Sequence, residues 1–157
     1  MKNKNIFWAV VIAAIIIGLF SLSSFLSPNK ENIAKWNAAG IACLVNGHTN
    51  LAQHIHQHLE VTVNGSDVHI PDNIGNVSDC LAEVHTHEGE GAQIHVETLE
   101  PDKKILLKDF FTVWGEPYDR SGFARTVVVN NATSTDDEHL ALEDKQDIHV
   151  IYVGLSK

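Results

Sequence analysis

From His54 to Val63 the chain reads His-Ile-His-Gln-His-Leu-Glu-Val-Thr-Val, an alternation with a period of two. In a β-strand, residues two apart share a face. Ile55, Leu59, Val61 and Val63 therefore take one side, and His54, His56, His58, Glu60 and Thr62 take the other. A helical period would scatter both sets around the axis, so the segment is expected to be a strand. The same parity recurs twice. Val84 opposes His85 and His87, and Ile94 with Val96 opposes His95 and Glu97. Three short strands thus present apolar groups to one side and imidazoles to the other. As neighbours in one sheet, spaced about 4.8 Å apart, they would bring six of the ten histidines together.

The rest of the chain supplies the frame for that sheet. Asn64-Gly65 is a strong hairpin signal, with Asp67 to Pro71 as the returning strand, Val68 and Ile70 inward and His69 outward. Leu81–His87 and Ala92–Glu97 are expected to form a second hairpin around Glu88-Gly-Glu-Gly91. Leu107, Phe110, Phe111 and Trp114 recur at helical spacing until Gly115 stops the helix, and these aromatics read as a core face. Ala124–Val129 and Ile148–Val153 are β-branched strands, and Asp136-Asp137-Glu138 between them reads as a solvated acidic loop. A short helix around Ile33–Ala39 ends at Gly40. The expected fold class is α+β, mainly antiparallel sheet with one or two short helices.

Ahead of this domain lies a different kind of sequence. Ile6 to Leu26 carries no charge in 21 residues and follows the basic start Met1-Lys-Asn-Lys. A helix of that length reaches roughly 30 Å, the thickness of a bilayer core. The charge asymmetry predicts a single N-terminal transmembrane helix with the remainder outside the cytoplasm. A cleaved signal peptide is the rival, since Ser21-Leu22-Ser23 offers small residues. The organisation expected is an anchor at 1–26, a linker or short helix at 27–40, and an extracytoplasmic domain at 41–157. Of the 11 basic residues two are Lys2 and Lys4, so the part after the anchor carries 9 against 20 acidic ones, a formal charge of −11. That field repels phosphate backbones and excludes nucleic acid as a partner. It favours cations.

Clustered imidazoles in an acidic domain point to a transition metal, with copper and zinc both suited to histidine ligands. The candidate ligands are His54, His56, His58, His85, His87 and His95; Glu60, Glu88 and Glu97 could ligate or orient the rings from behind. His48, His69, His139 and His149 read as solvated single histidines. The two cysteines, Cys43 and Cys80, are expected to be bridged in an oxidising compartment. The other reading makes Cys80 a thiolate ligand, five residues before His85. A blue-copper centre usually adds an axial methionine, and the single methionine here is Met1, before the apolar run.

Several motifs in this order resemble a family of bacterial and archaeal secreted or membrane-anchored proteins to which no activity is assigned. They are His54-Ile-His-Gln-His58, Cys80, His85-Thr-His-Glu88, Ile94-His-Val-Glu97, Phe110-Phe-Thr-Val-Trp-Gly115 and the segment Leu142 to Gly154. The resemblance spans about residues 40–154 and implies a shared fold. Family members often place aromatics where this chain has Ala82 and Glu83, which implies a more open or more polar pocket here. The last segment also looks like the closing strands of a β-grasp domain.

Gly-x-Ser-x-Gly, phosphate-loop and dinucleotide motifs are all absent from the sequence. The first functional expectation is a membrane-anchored metal-binding or relay domain, or an accessory subunit of a membrane complex. The second is a small histidine-ligated metalloenzyme of hydrolase or lyase type, since a three-histidine zinc site with an open position activates water. Carbonic anhydrases of one class use a strand H-x-H plus a third histidine, although on a far larger fold. A metal-free structural subunit is the third.

Overall fold

The computed structural model describes residues 28–78 and 80–156. The expected anchor at 1–26 lies outside them; no described helix is long and apolar enough to cross a membrane. Helix α1 (Pro28–Ala38) begins within the stretch read as linker and ends before Gly40, whose φ of 82° lies in the left-handed region. It is part of the folded unit, because Trp36 is buried and Ile33 packs on the same core.

Ten strands follow among the described residues, several of only two residues. β1 (Cys43–Leu44), β4 (Asn76–Val77) and β5 (Cys80–Ala82) form a small sheet in the order β1-β5-β4. The larger sheet contains β2 (Gln53–Val63), β3 (Ser66–Asp67), β6 (Val84–His85), β7 (Gln93–Thr98), β8 (Phe123–Val129), β9 (Ala132–Thr133) and β10 (Asp147–Gly154). Its order is β6-β7-β2-β10-β8-β9, with β3 folded back on the end of β2. The pairings are antiparallel except one: β2 and β10 run parallel, with Asp147 opposite His58 and Tyr152 opposite Val63. The α+β class and mostly antiparallel pairing agree with the sequence reading.

Local chemistry explains most element ends. Asn64 and Gly65 both have positive φ, as the hairpin turn between β2 and β3 requires. Asn130 and Asn131 do the same between β8 and β9. Helix α2 (Leu107–Trp114) starts where Asp109 accepts the Leu106 N–H at 2.8 Å, and it stops at Gly115 with φ of 84°.

Two expected strands came out differently. Only Ser66 and Asp67 pair in the return from the first hairpin. Val68 adds one bond to the Val61 carbonyl, and Ile70 is buried without strand pairing. In the second hairpin, Val84 and His85 pair with Val96 and His95 as expected. Leu81, by contrast, joins the small sheet opposite Leu44 and Asn76, so the chain changes sheet at Glu83.

One face of the large sheet carries the core. Leu59 and Val61 of β2, Ile94 and Val96 of β7, Ile148, Val150 and Tyr152 of β10, and Val127 of β8 share it with Leu107, Phe110 and Phe111 of α2. Phe110 and Phe111 are fully buried, so the aromatics of that helix are core, as their spacing predicts. β7 is buried on both faces, because His95 and Glu97 are covered as well. Something therefore packs over the polar face of this strand, and it is the imidazole cluster with the loop after β1.

The acidic loop is not simply solvated. Arg125 of β8 donates to Asp137, Glu138, Asp119 and the Tyr118 carbonyl, and its guanidinium lies 3.7 Å from the Tyr118 ring centre. A lysine has the charge but not the planar fork that spreads over several acceptors. Arg125→Lys is expected to cost about 1 kcal/mol, the carboxylates being partly exposed. Urea unfolding would show it, and an unchanged midpoint would contradict this role.

Candidate metal centre

The register of three strands builds the site. His56 of β2 lies opposite His95 of β7, and His95 lies opposite His85 of β6. These three imidazoles form one row across the sheet. His54 lies opposite Glu97 one step along. His87 extends the row beyond β6, with its ring 4.6 Å from that of His85 and 4.5 Å from that of His95.

A sixth ring comes from outside the sheet. His48, read from sequence as a solvated single histidine, sits in the loop after β1. Its ring centre is 5.2 Å from His87, 6.1 Å from His85 and 6.4 Å from His54. Nδ1 of His48 donates to Glu97 at 2.7 Å. A residue in an irregular loop has no parity to read, so nothing in the local pattern separates it from His69 or His139. The proline-free turn that carries it, however, begins just two residues after Cys43. The Cys43–Cys80 bridge ties that loop to the strand leading to His85. The bridge also disposes of Cys80 as a thiolate ligand.

His58 departs from the expected set. It shares the parity of His54 and His56, but it stands at the last pair of β2 with β7, opposite Gln93 and not opposite a histidine or carboxylate. His58 is exposed, and its Nδ1 lies 3.2 Å from Asp147 of β10. Its face is right and its position along the strand is wrong. Glu60 and Glu88 are also exposed and lie outside both candidate ligand groups among the described residues. His69, His139 and His149 stay outside too; His139 pairs with Asp136 and His149 with Thr62.

Two groups have donor atoms all within 4.8 Å of one another: His48, His85, His87 and Glu97, and beside them His54, His56 and His95. Hydrogen bonds prepare individual rings. Nδ1 of His85 donates to the Ala82 carbonyl at 2.8 Å, leaving the lone pair on Nε2. That nitrogen faces Nε2 of His87 at 3.1 Å. Ligand nitrogens of a tetrahedral zinc stand about 3.3 Å apart, given bonds of about 2.0 Å, so the pair is close to ligating distance. Orientation of one ring nitrogen by a backbone carbonyl is a frequent posture of metal-bound histidine.

His95 is prepared the other way round. Its Nε2 donates to Glu90, a carboxylate the sequence reading did not single out, and so the lone pair falls on Nδ1. That Nδ1 is buried and has no hydrogen-bond partner among the described residues. An unpaired buried lone pair costs free energy unless something occupies it, and a metal ion is such an occupant.

Glu97 holds the cluster from beneath. Its carboxylate is fully buried, accepts from His48 Nδ1 and lies 3.1 Å from His54 Nε2. It therefore touches both groups. Below His85 the chain is tightly packed: a Cβ at Gly75 would stand 2.9 Å from the Val84 carbonyl and 3.0 Å from the His85 Cβ. Gly75 also has a φ of 78°, so glycine is needed there on both counts.

Burial depresses the basicity of the two inner rings. His85 is fully buried and its pKa is held down to about 3, chiefly by desolvation and further by the neighbouring histidines, against the opposing effect of the Ala82 carbonyl. His95 is lowered as well, again mainly by burial, although Glu90 opposes it. Both rings are thereby kept neutral, the form that ligates.

Ala82 and Glu83 stand where the resemblance would place aromatics. Both are buried, and Glu83 accepts from the Ala42 N–H at 2.7 Å and from Lys103 at 2.6 Å. Its carbonyl also accepts from the Glu97 N–H at 2.8 Å, so Glu83 links the chain before β1 to β7 of the large sheet. No protein-family model, curated protein or solved structure matches this chain.

Proposed function

We propose that this chain is a metal-binding module, held outside the cytoplasm by its apolar N-terminal segment, which carries copper or zinc on its imidazole cluster. The buried, unpartnered Nδ1 of His95 beside the preset lone pair of His85 carries this reading. A polar sheet face with no ligand would have no reason to bury a ring nitrogen without a partner. The 21-residue uncharged stretch and the excess of acidic residues support the anchored, cation-attracting part of the reading. The Cys43–Cys80 disulfide fits an oxidising compartment. The work of such a module is to hold or pass on the ion, by itself or as the accessory subunit of a membrane complex. The family resemblance brings no activity to add.

A second reading, a small metalloenzyme, rests on one observation: the group His54, His56 and His95 offers three donors, which leaves a fourth position for water.

The test is calorimetric titration of the full chain, purified in detergent without a histidine tag, with Zn(II) and Cu(II). Wild type should bind tightly. Replacing His85 and His95 together by Asn should abolish tight binding, whereas a His58→Ala, His139→Ala and His149→Ala triple variant should bind as wild type does. Affinity should fall as pH drops from about 7 to 5, because protons compete for imidazole. Absence of binding in wild type, or equal affinity in all three proteins, would defeat the proposal.

A further inference from the structure

The six rings with Glu97 are too many donors for one ion. A tetrahedral zinc takes four ligands; four protein donors close the site, while three leave the fourth position to water or to an incoming ligand of another molecule. The two groups on this face fall on either side of that division. His48, His85, His87 and Glu97 make a four-donor set, two of whose members are fully buried. His54, His56 and His95 make a three-donor set with His54 exposed and His56 half-buried.

The groups are contiguous. The His95 ring centre stands 4.5 Å from that of His56 in its own group and 4.5 Å from that of His87 in the other. Their lone pairs are set independently. Ala82 fixes His85 in the first group and Glu90 fixes His95 in the second. Neither orienting contact serves the other group, as two separate sites require. Two cations side by side repel, and the chain answers with carboxylates at both: Glu97 touches His48 and His54, and Glu90 holds His95.

Resting on the metal-binding reading above, we propose that the cluster is a two-ion centre: a closed site of His48, His85, His87 and Glu97 that retains its ion, and beside it an open site of His54, His56 and His95 that exchanges it. The open site is the place at which a donor or acceptor of the ion, or a water molecule, reaches the metal. The closed site is then filled and emptied through its neighbour or through movement of the His48 loop, whose histidine side chain is 52% exposed.

The experiment is native mass spectrometry of the full chain, released from detergent after titration with Zn(II) alone. It is paired with the kinetics of zinc removal by a colorimetric chelator. Wild type should hold two zinc ions, one removed quickly and one slowly. His54→Ala with His56→Ala should hold one, and only the slow phase should remain. His48→Ala with His87→Ala should hold one, with only the fast phase left. None of these four side chains lies in the apolar core, and thermal melts of the metal-free proteins would verify folding. A single ion in wild type would overturn the two-ion centre and leave metal binding standing; no ion at all would overturn both. Loss of every ion in either paired variant would also overturn it, since that result means one shared site.

Discussion

Breaking the Cys43–Cys80 bridge is expected to cost about 4 kcal/mol, the loop-closure entropy for the sequence separation of 37 that it spans. That is a large share of the roughly 5–15 kcal/mol by which domains are stable. The cost is local in its consequences as well. β1 and β5 pair over only two residues, Cys43 with Ala82 and Leu44 with Leu81. A pairing so short has little stability of its own. The bridge therefore secures two things the site needs: the loop bearing His48 and the Ala82 carbonyl that orients His85. A Cys43→Ser, Cys80→Ser variant should show a urea midpoint well below that of wild type and weaker zinc binding. An unchanged midpoint would mean that Glu83, bonded to Ala42 on one side and to Glu97 of β7 on the other, holds the two sheets together without the disulfide.

Acid should destabilise the metal-free chain through His85. Its pKa in the folded state is about 3, against about 6.5 in the unfolded chain. Above pH 6.5 the ring is neutral in both states and contributes no pH dependence. As pH falls below 6.5 the unfolded chain takes up a proton that the folded chain refuses, and stability drops by about 1.4 kcal/mol per pH unit. The loss continues until pH approaches 3, where the folded state binds the proton too. By pH 4 it amounts to about 3 kcal/mol from this residue. His95, lowered in the same direction, adds to it. Chelator-treated wild type and His85→Asn would be unfolded in urea at pH 7, 5 and 4. Asparagine can still donate to Ala82 but does not titrate, so the variant should show a shallower decline whatever its stability at pH 7. Parallel declines would show that His85 is not the ring that resists protonation.

The histidine face was legible because strand parity is local. His54, His56, His85, His87 and His95 need only a period of two and the guess that their strands are neighbours, and the register then aligns His56, His95 and His85 in one row. What parity cannot supply is position along a strand. His58 has the right face, but it lies at the end of the β2–β7 pairing, opposite Gln93, and Asp147 receives it instead. His48 and Glu90 were missed for the complementary reason: they come from loops, where only the folded chain decides what they meet. Helix α2 and the Asn64-Gly65 turn were readable from helical spacing and turn chemistry. The small sheet was not, since strands of two or three residues have too little pattern to announce themselves. Nor was the β2–β10 pairing, because nothing in an alternating strand says whether its partner will run parallel or antiparallel.

That pairing has a consequence for how the molecule is made. β2 lies at the centre of the sheet between β7 and β10, and its contact with β10 joins residues about 90 positions apart, as with His58 and Asp147. Contacts of such sequence separation must close a long loop before they return any stability, and they slow folding. During synthesis the histidine strand is therefore complete long before its central neighbour exists. Until Asp147–Gly154 has emerged, the His58–Val63 half of β2 has one open edge, whereas the half bearing His54 and His56 already has β7 beside it. The proposed ligands, all between His48 and Glu97, are thus paired through β2, β6 and β7 before the far half of β2 finds its last neighbour.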